Sequence, residues 1–285
     1  MGSKDKKGNQ KKFNEIVKKI KKVEIQGARN VARAALKAYK LVPTEVSKKK
    51  LLASRPTEPM MQNVLKLAGT MPMYKITKHF TDAQDEINKN VLRLISQKEA
   101  IFTHCHSTNV VKALIHARTK GKRYFEVYNT ETRPLLQGRK TAKELKRANI
   151  PVTMFIDSAL GIPLRGEDKD MKKADKVFLG ADAITSKGVI NKIGSRTIAE
   201  IAKNNKVPVY IIADSWKFTT EKLPIEQRNL NEIWDNAPKK IKIKNPAFEF
   251  IPKKYIRALV TELGILSYPQ FMKVIKKNER KNKFE

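Results

Sequence analysis

Between residues 99 and 213 the sequence alternates short apolar runs with helical stretches, and this constrains the fold more than any other feature. The runs are Ala100–Thr103, Tyr124–Tyr128, Val152–Ile156, Lys176–Leu179 and Val207–Ala213. Helical patterns lie between most of them, around Val110–Arg118, Ala142–Ala148 and Ile198–Asn204. Strands spaced by single helices cannot pair as hairpins. They form a parallel, doubly wound, Rossmann-like sheet with right-handed crossovers. Ligands of such sheets bind beyond the C-terminal strand ends, so the residues that close each run are the ones to inspect.

The first ~95 residues have a different period. Phe13, Ile16, Val17, Ile20 and Val23 share one helical face. An alanine-rich helix is expected from about Asn30 to Leu41, where Pro43 stops it, and a short helix should end at Gly69. Ile76, Phe80, Ala83, Ile87, Val91 and Leu94 recur at steps of three and four. The expected class is therefore α/β. Residues 1–96 form an N-terminal helical domain with a basic tail over the first 12, and residues 97–285 a Rossmann-like α/β catalytic domain. Residues 220–250 read as loops, residues 252–275 as helical with breaks at Gly264 and Pro269, and Lys276–Glu285 as a charged tail.

With 40% hydrophobic and 31% charged residues the chain is globular, not disordered. No apolar run reaches the ~18–20 residues that span a bilayer, and the lysine-rich start has no secretory apolar segment. A single cysteine permits no intramolecular disulfide and fits a reducing cytoplasm. The 60 Lys and Arg against 28 Asp and Glu leave a net charge of +32, which attracts phosphorylated small molecules, nucleic acid or anionic lipid. The lysines are dispersed and aromatics make up only 7%, so a base-stacking surface is disfavoured.

Cys105 follows the first strand and precedes a helix that Ser107 or Thr108 can cap. The positive end of that helix is expected to favour the thiolate, a usable base or nucleophile. From position alone, a buried structural cysteine is the more common meaning of such a residue. His104 and His106 flank it, but neighbours in extended backbone point to opposite faces, so no metal site is expected. Asp182 ends another strand within Gly180-Ala181-Asp182 and can serve as a general acid, although Asp157, Asp175 and Asp214 hold comparable positions. Gly27-Ala28-Arg29, Arg55, Asn191-Lys192 and Lys217 are candidate phosphate contacts. The chain has no dinucleotide or nucleoside-triphosphate loop.

Several motifs occur together and in order: Thr103-His104-Cys105, Thr130-Glu131-Thr132-Arg133-Pro134, Gln137-Gly138, Gly180-Ala181-Asp182, Asn191-Lys192-Ile193-Gly194 and Trp216-Lys217-Phe218. Their combination resembles the family shared by isomerases of ribose 1,5-bisphosphate and methylthioribose 1-phosphate and the alpha, beta and delta subunits of eukaryotic initiation factor 2B. The resemblance implies an aldose–ketose isomerase converting ribose 1,5-bisphosphate to ribulose 1,5-bisphosphate in nucleoside salvage. It implies Cys105 as proton acceptor and Asp182 as proton donor, no cofactor, AMP as an activator, and a homo-oligomer, dimer or hexamer. Substrate contacts would come from Gln26, Gly27, Ala28, Arg29, Arg55, Ser107, Thr108, Asn109, Asn191, Lys192 and Lys217. The translation subunits generally lack the aspartate and often the cysteine, so a non-catalytic regulatory subunit is the alternative reading, and a methylthioribose-1-phosphate isomerase the next. The isomerases usually carry Arg-Gly where this chain has Gln26-Gly27, and a neutral amide cannot fork onto a phosphate. The segment Gly161–Lys172 also looks longer than in the isomerase.

Overall fold

The computed structural model describes residues 3–122 and 124–281. By contacts the chain divides into two compact units, one holding the residues up to Asp82 with Trp216–Pro224, the other Ala83–Ser215 with Ile225 onward. This division differs from the expected boundary after residue 96 by residues 83–96, which include the second half of one helix, and by Trp216–Pro224, which the sequence reading places in the α/β domain.

The helical unit contains α1 (Ser3–Lys21), α2 (Ala28–Leu41), α3 (Glu45–Ser54), α4 (Pro59–Leu67) and the first part of α5 (Met73–Leu92). Phe13, Val17 and Ile20 of α1 are buried with Val31 and Ala35 of α2 and Met60 and Val64 of α4. The expected tail over residues 1–12 is instead helical from Ser3; its first two residues lie outside those described. Lysine is a good helix former, so the turns before Phe13 extend the helix, with Lys6, Lys7, Lys11 and Lys12 exposed. Thr44 caps α3 by accepting from the Ser47 N–H at 3.1 Å.

In the α/β unit, β1 (Ala100–Thr103), β2 (Glu126–Thr130), β3 (Val152–Phe155), β4 (Lys176–Leu179), β7 (Val209–Ile212) and β9 (Ala258–Thr261) are parallel, and β10 (Gly264–Leu266) closes the sheet antiparallel. The strand order is β10-β9-β7-β4-β1-β2-β3. Counting only the parallel strands in chain order, this is the 3-2-1-4-5-6 arrangement of doubly wound nucleotide-binding sheets, and it reverses between β1 and β4. Helices α6 (Thr108–Thr119), α7 (Gln137–Arg147), α8 (Gly161–Arg165) and α9 (Ser195–Asn204) form the connections, and α10 (Tyr268–Lys281) ends the described chain. A second antiparallel sheet, in the order β5-β6-β8, is made by β5 (Ala183–Ile184), β6 (Gly188–Lys192) and β8 (Phe248–Pro252).

Residues 252–275 are not the expected helix. Ala258-Leu259-Val260-Thr261 is fully buried beside β7, where a continuous apolar run pairs better than it coils, and Gly264 turns the chain at φ 121°. The helix begins only at Tyr268 and runs through most of the expected charged tail; residues 282–285 lie outside those described. The second strand starts two residues later than expected, because Tyr124 is 68% exposed and Phe125 is the first buried residue of the run.

At the start of α7, a Cβ on Gly138 would lie 1.7 Å from the Thr130 carbonyl oxygen. Gly138→Ala should therefore destabilise the fold by ~2 kcal/mol or more, read as a lowered urea midpoint at unchanged slope.

Candidate active site at the strand switch point

β1 and β4 are neighbours, and Thr103 at the end of β1 donates its hydroxyl to the Phe178 carbonyl of β4 at 2.8 Å. The chain then turns so sharply that Cys105 takes φ 65°, a left-handed conformation costing ~1–3 kcal/mol outside glycine. Hydrogen bonds hold it there. The Cys105 N–H donates to Thr132 Oγ1 at 3.0 Å, and its carbonyl accepts from Thr141 Oγ1 at 2.8 Å. Thr132 is itself left-handed at φ 63°, and Asp157 pins it by accepting from the N–H groups of Thr132 (2.9 Å) and Arg133 (2.6 Å). Ser107 caps α6, accepting from the Val110 N–H at 3.5 Å.

The facing side comes from β4 and the small sheet. A Cβ on Gly180 would meet Ser107 Oγ at 2.6 Å, so only glycine lets the end of β4 approach the start of α6. Asp182 follows, its N–H donating to the Ile190 carbonyl at 2.9 Å. Asn191 Nδ2 donates to Ser195 Oγ at 2.8 Å, and that hydroxyl donates to the Lys192 carbonyl at 2.6 Å. Lys192 is 5% exposed and makes no ion pair among the described residues. A buried ammonium without a carboxylate of its own is an anion site in waiting.

Burial pushes the Cys105 thiol up to about 12, opposed by the Lys192 ammonium and the His106 backbone and reinforced by Asp182 and Asp157. The expected lowering by the helix terminus is therefore overturned. Desolvation of the sulfur outweighs the cation and dipole together, and the thiol keeps its proton. Burial also lowers His104 and His106.

The expected contacts are divided between the two units. Cys105, Ser107, Thr108, Asp182, Asn191 and Lys192 belong to the α/β unit, where Ser107 and Thr108 begin α6 and stay partly exposed. Asn109 is buried, and its Nδ2 donates to Gln84 Oε1 at 3.0 Å, so its amide serves packing. Gln26, Gly27, Ala28, Arg29, Arg55 and Lys217 belong to the helical unit. Gly27, at φ 84°, starts α2; Ala28 is buried; Gln26 is exposed and its carbonyl accepts from Asn30 Nδ2 at 3.0 Å. The Arg29 guanidinium lies 6.0 Å from the Phe80 ring centroid. Arg55 is 6% exposed, pairs with Glu58 at 3.2 Å and reaches the Ile25 carbonyl at 3.4 Å, which makes it a brace under Gln26 and Gly27. Lys217 is 6% exposed, between Trp216 and Phe218, whose carbonyls accept from Asn63 Nδ2 at 2.8 and 2.9 Å. Sequence reasoning gave no role to Thr130, Thr132 and Thr141, and named Asp157 only as a strand-end carboxylate comparable to Asp182. Thr130 and Thr132 stood inside a quoted motif, but nothing in the chain announces that they bond to Cys105 and His104.

The fold and site together define a doubly wound α/β protein with a thiol, a carboxylate and a buried ammonium at the strand switch point. Residues 44–268 match the Initiation factor 2 subunit family, and the chain belongs to that family. A ribose 1,5-bisphosphate isomerase of Methanocaldococcus jannaschii is 35% identical, covering 89% of this chain and 91% of its own length. One from Pyrococcus furiosus is 35% identical, covering 88% and 89%. A methylthioribose-1-phosphate isomerase of Acetivibrio thermocellus is 36% identical over 72% of this chain and 64% of its own. Among solved structures, translation initiation factor eIF-2B of Pyrococcus horikoshii OT3 matches with TM-score 0.78 at 24% identity, covering 90% of this chain and 96% of its own. This last likeness concerns the fold alone.

Because the native thiol sits far above the usual cysteine range, iodoacetamide should modify native Cys105 at about pH 8 at least ~100-fold more slowly than the urea-unfolded chain. The native rate should rise about tenfold per pH unit. Equal native and unfolded rates would contradict the burial argument.

Proposed function

We propose that the chain is an aldose–ketose isomerase that converts ribose 1,5-bisphosphate to ribulose 1,5-bisphosphate. The observation that carries this reading is that neighbouring strands β1 and β4 lead to Cys105 and Asp182, and that Asp182 and buried Lys192 both act electrostatically on the sulfur. Relatives that match about nine-tenths of the chain and bear that activity in their names support it.

In the proposed reaction Asp182, as the acid, protonates the ring oxygen, and the C1–O bond electrons move onto that oxygen. The Cys105 thiolate takes the proton from carbon 2, leaving an enol phosphate across carbons 1 and 2. The Asp182 carboxylate then removes the proton of the 2-hydroxyl while the thiol returns its proton to carbon 1. A ketone stands at carbon 2, and both groups regain their starting state. Lys192 supplies fixed positive charge to the thiolate and to the developing oxyanion. With the thiol at about 12, forming the thiolate near neutral pH costs on the order of 7 kcal/mol, offset in part by the greater basicity of the anion. Arg29, Arg55 and Lys217 enter as proposed phosphate contacts, tested by their effect on KM. AMP as activator, a place in nucleoside salvage and homo-oligomeric assembly belong to the same proposal. No helix among the described residues is long and apolar enough to cross a membrane.

The net charge of +32 favours a second reading, a regulatory subunit without catalysis. Salt-dependent RNA binding with no isomerase turnover would establish it.

Purified protein given ribose 1,5-bisphosphate should form ribulose 1,5-bisphosphate. Cys105→Ser and Asp182→Asn should each lower kcat at least ~1000-fold. In D2O deuterium should enter carbon 1 to the extent that the Cys105 thiol exchanges its proton with solvent before returning it, whereas a hydride shift brings in none. Raising the pH through the neutral range should raise kcat/KM, as a base with a high pKa requires. Absence of turnover, or full activity in both variants, would remove the proposal.

A further inference from the structure

His104 is 2% exposed, adjoins the proposed base, and has no part in the proposed chemistry. Its two ring nitrogens face two different segments. Nε2 lies 2.8 Å from the Ile193 carbonyl, one residue beyond Lys192, and Nδ1 meets Thr130 Oγ1 at the end of β2. A carbonyl can only accept, so the proton is on Nε2, and Nδ1 accepts from the Thr130 hydroxyl. Thr130 Oγ1 in turn lies 3.3 Å from Thr132 Oγ1, the atom that accepts the Cys105 N–H. The turn after Ile193 is shaped to the ring: Gly194 is left-handed at φ 98°, and a Cβ there would lie 3.2 Å from Nε2.

We propose that His104 is a positioning residue that ties the turn bearing Lys192 to the loop bearing Cys105 and so fixes the ammonium against the sulfur. Three facts converge on it. Desolvation keeps the ring neutral, the form this pattern of one donor and one acceptor needs. Lys192 is the largest influence that draws the thiol toward its anion, and its backbone is anchored through its neighbour Ile193. Cys105 and Thr132 both occupy left-handed backbone that persists only under restraint, and the His104–Thr130–Thr132 chain is part of that restraint. The charged groups bearing on the sulfur are Lys192 of β6, Asp182 of the link between β4 and β5, and Asp157 after β3. His106 turns to Thr141 and Glu144 of α7.

The kinetic part of this inference rests on the proposed isomerase reading; the part that concerns the sulfur does not. Cys105 is the single cysteine, so alkylation reports on one atom. The test compares wild type with His104→Leu, which loses both bonds, and His104→Gln, which can still donate to the Ile193 carbonyl. Iodoacetamide rates are measured from neutral to alkaline pH. His104→Leu should react about tenfold more slowly than wild type at any one pH, because the ammonium no longer holds its place beside the sulfur. His104→Gln should recover most of the difference. In turnover of ribose 1,5-bisphosphate, His104→Leu should lose kcat about tenfold or more with KM within about twofold, the signature of a displaced base. If His104→Leu does not fold, Thr130→Val reads the same claim by removing the partner of Nδ1, and should slow alkylation at least about threefold. A folded His104→Leu or Thr130→Val with the wild-type alkylation rate would overturn the proposal. A slowed alkylation in a protein that never turns over the sugar would uphold it and sink the isomerase reading instead.

Discussion

A partly buried, desolvated thiol within the field of a buried ammonium that makes no ion pair among the described residues sets the terms for the α/β unit. Either group alone would be a liability. The sulfur would be inert, and the ammonium would be a buried charge without compensation. Together they describe a place prepared for an anion and for a short-lived thiolate. The surrounding construction maintains that arrangement. Gly180 lets the end of β4 reach the cap of α6, Asp157 pins the left-handed Thr132, and Thr132 pins the left-handed Cys105.

This division of labour explains where the glycines and threonines fall. The close approaches at Gly138 and Gly180 bring α7 and β4 into the space where the Cys105 loop is made. Thr132 and Thr141 bond the Cys105 backbone through short hydroxyls, and Thr130 bonds the His104 ring, all without adding charge to the site. The fold places these residues at the switch point, where neighbouring parallel strands lead to opposite sides of the sheet and leave a crevice. The helical unit, with its own core of α1 to α4, carries the remaining candidate contacts.

Most of the alternation of strand and helix was readable because the first five parallel strands are short, apolar-rich runs set between helical stretches. The small sheet was not. Ala183–Ile184 is two residues long, and Gly188–Lys192 carries polar residues at its functional end, so neither has the look of a strand. The segment from Ala258 to Leu266 misled for the opposite reason, since its apolar spacing suits a helix as well as a strand, and only pairing with β7 decides between them. Resemblance, not position, singled out Cys105 and Asp182, and the balance of forces on the sulfur could not be read from the chain. A helix terminus is visible in sequence; the depth to which a loop is buried is not, and here depth wins. His104 was legible only as a neighbour of the cysteine, because its partners are 26 and 89 residues away.

The central claim is that one sugar phosphate meets sulfur and carboxylate together, and the most direct measurement is a structure of the wild-type protein with ribulose 1,5-bisphosphate bound. The account predicts that carbons 1 and 2 lie within about 3.5 Å of Cys105 Sγ on one side, with an Asp182 carboxylate oxygen at hydrogen-bond distance from a sugar oxygen. A sugar bound elsewhere, or bound here with either side chain turned away from it, would contradict the account.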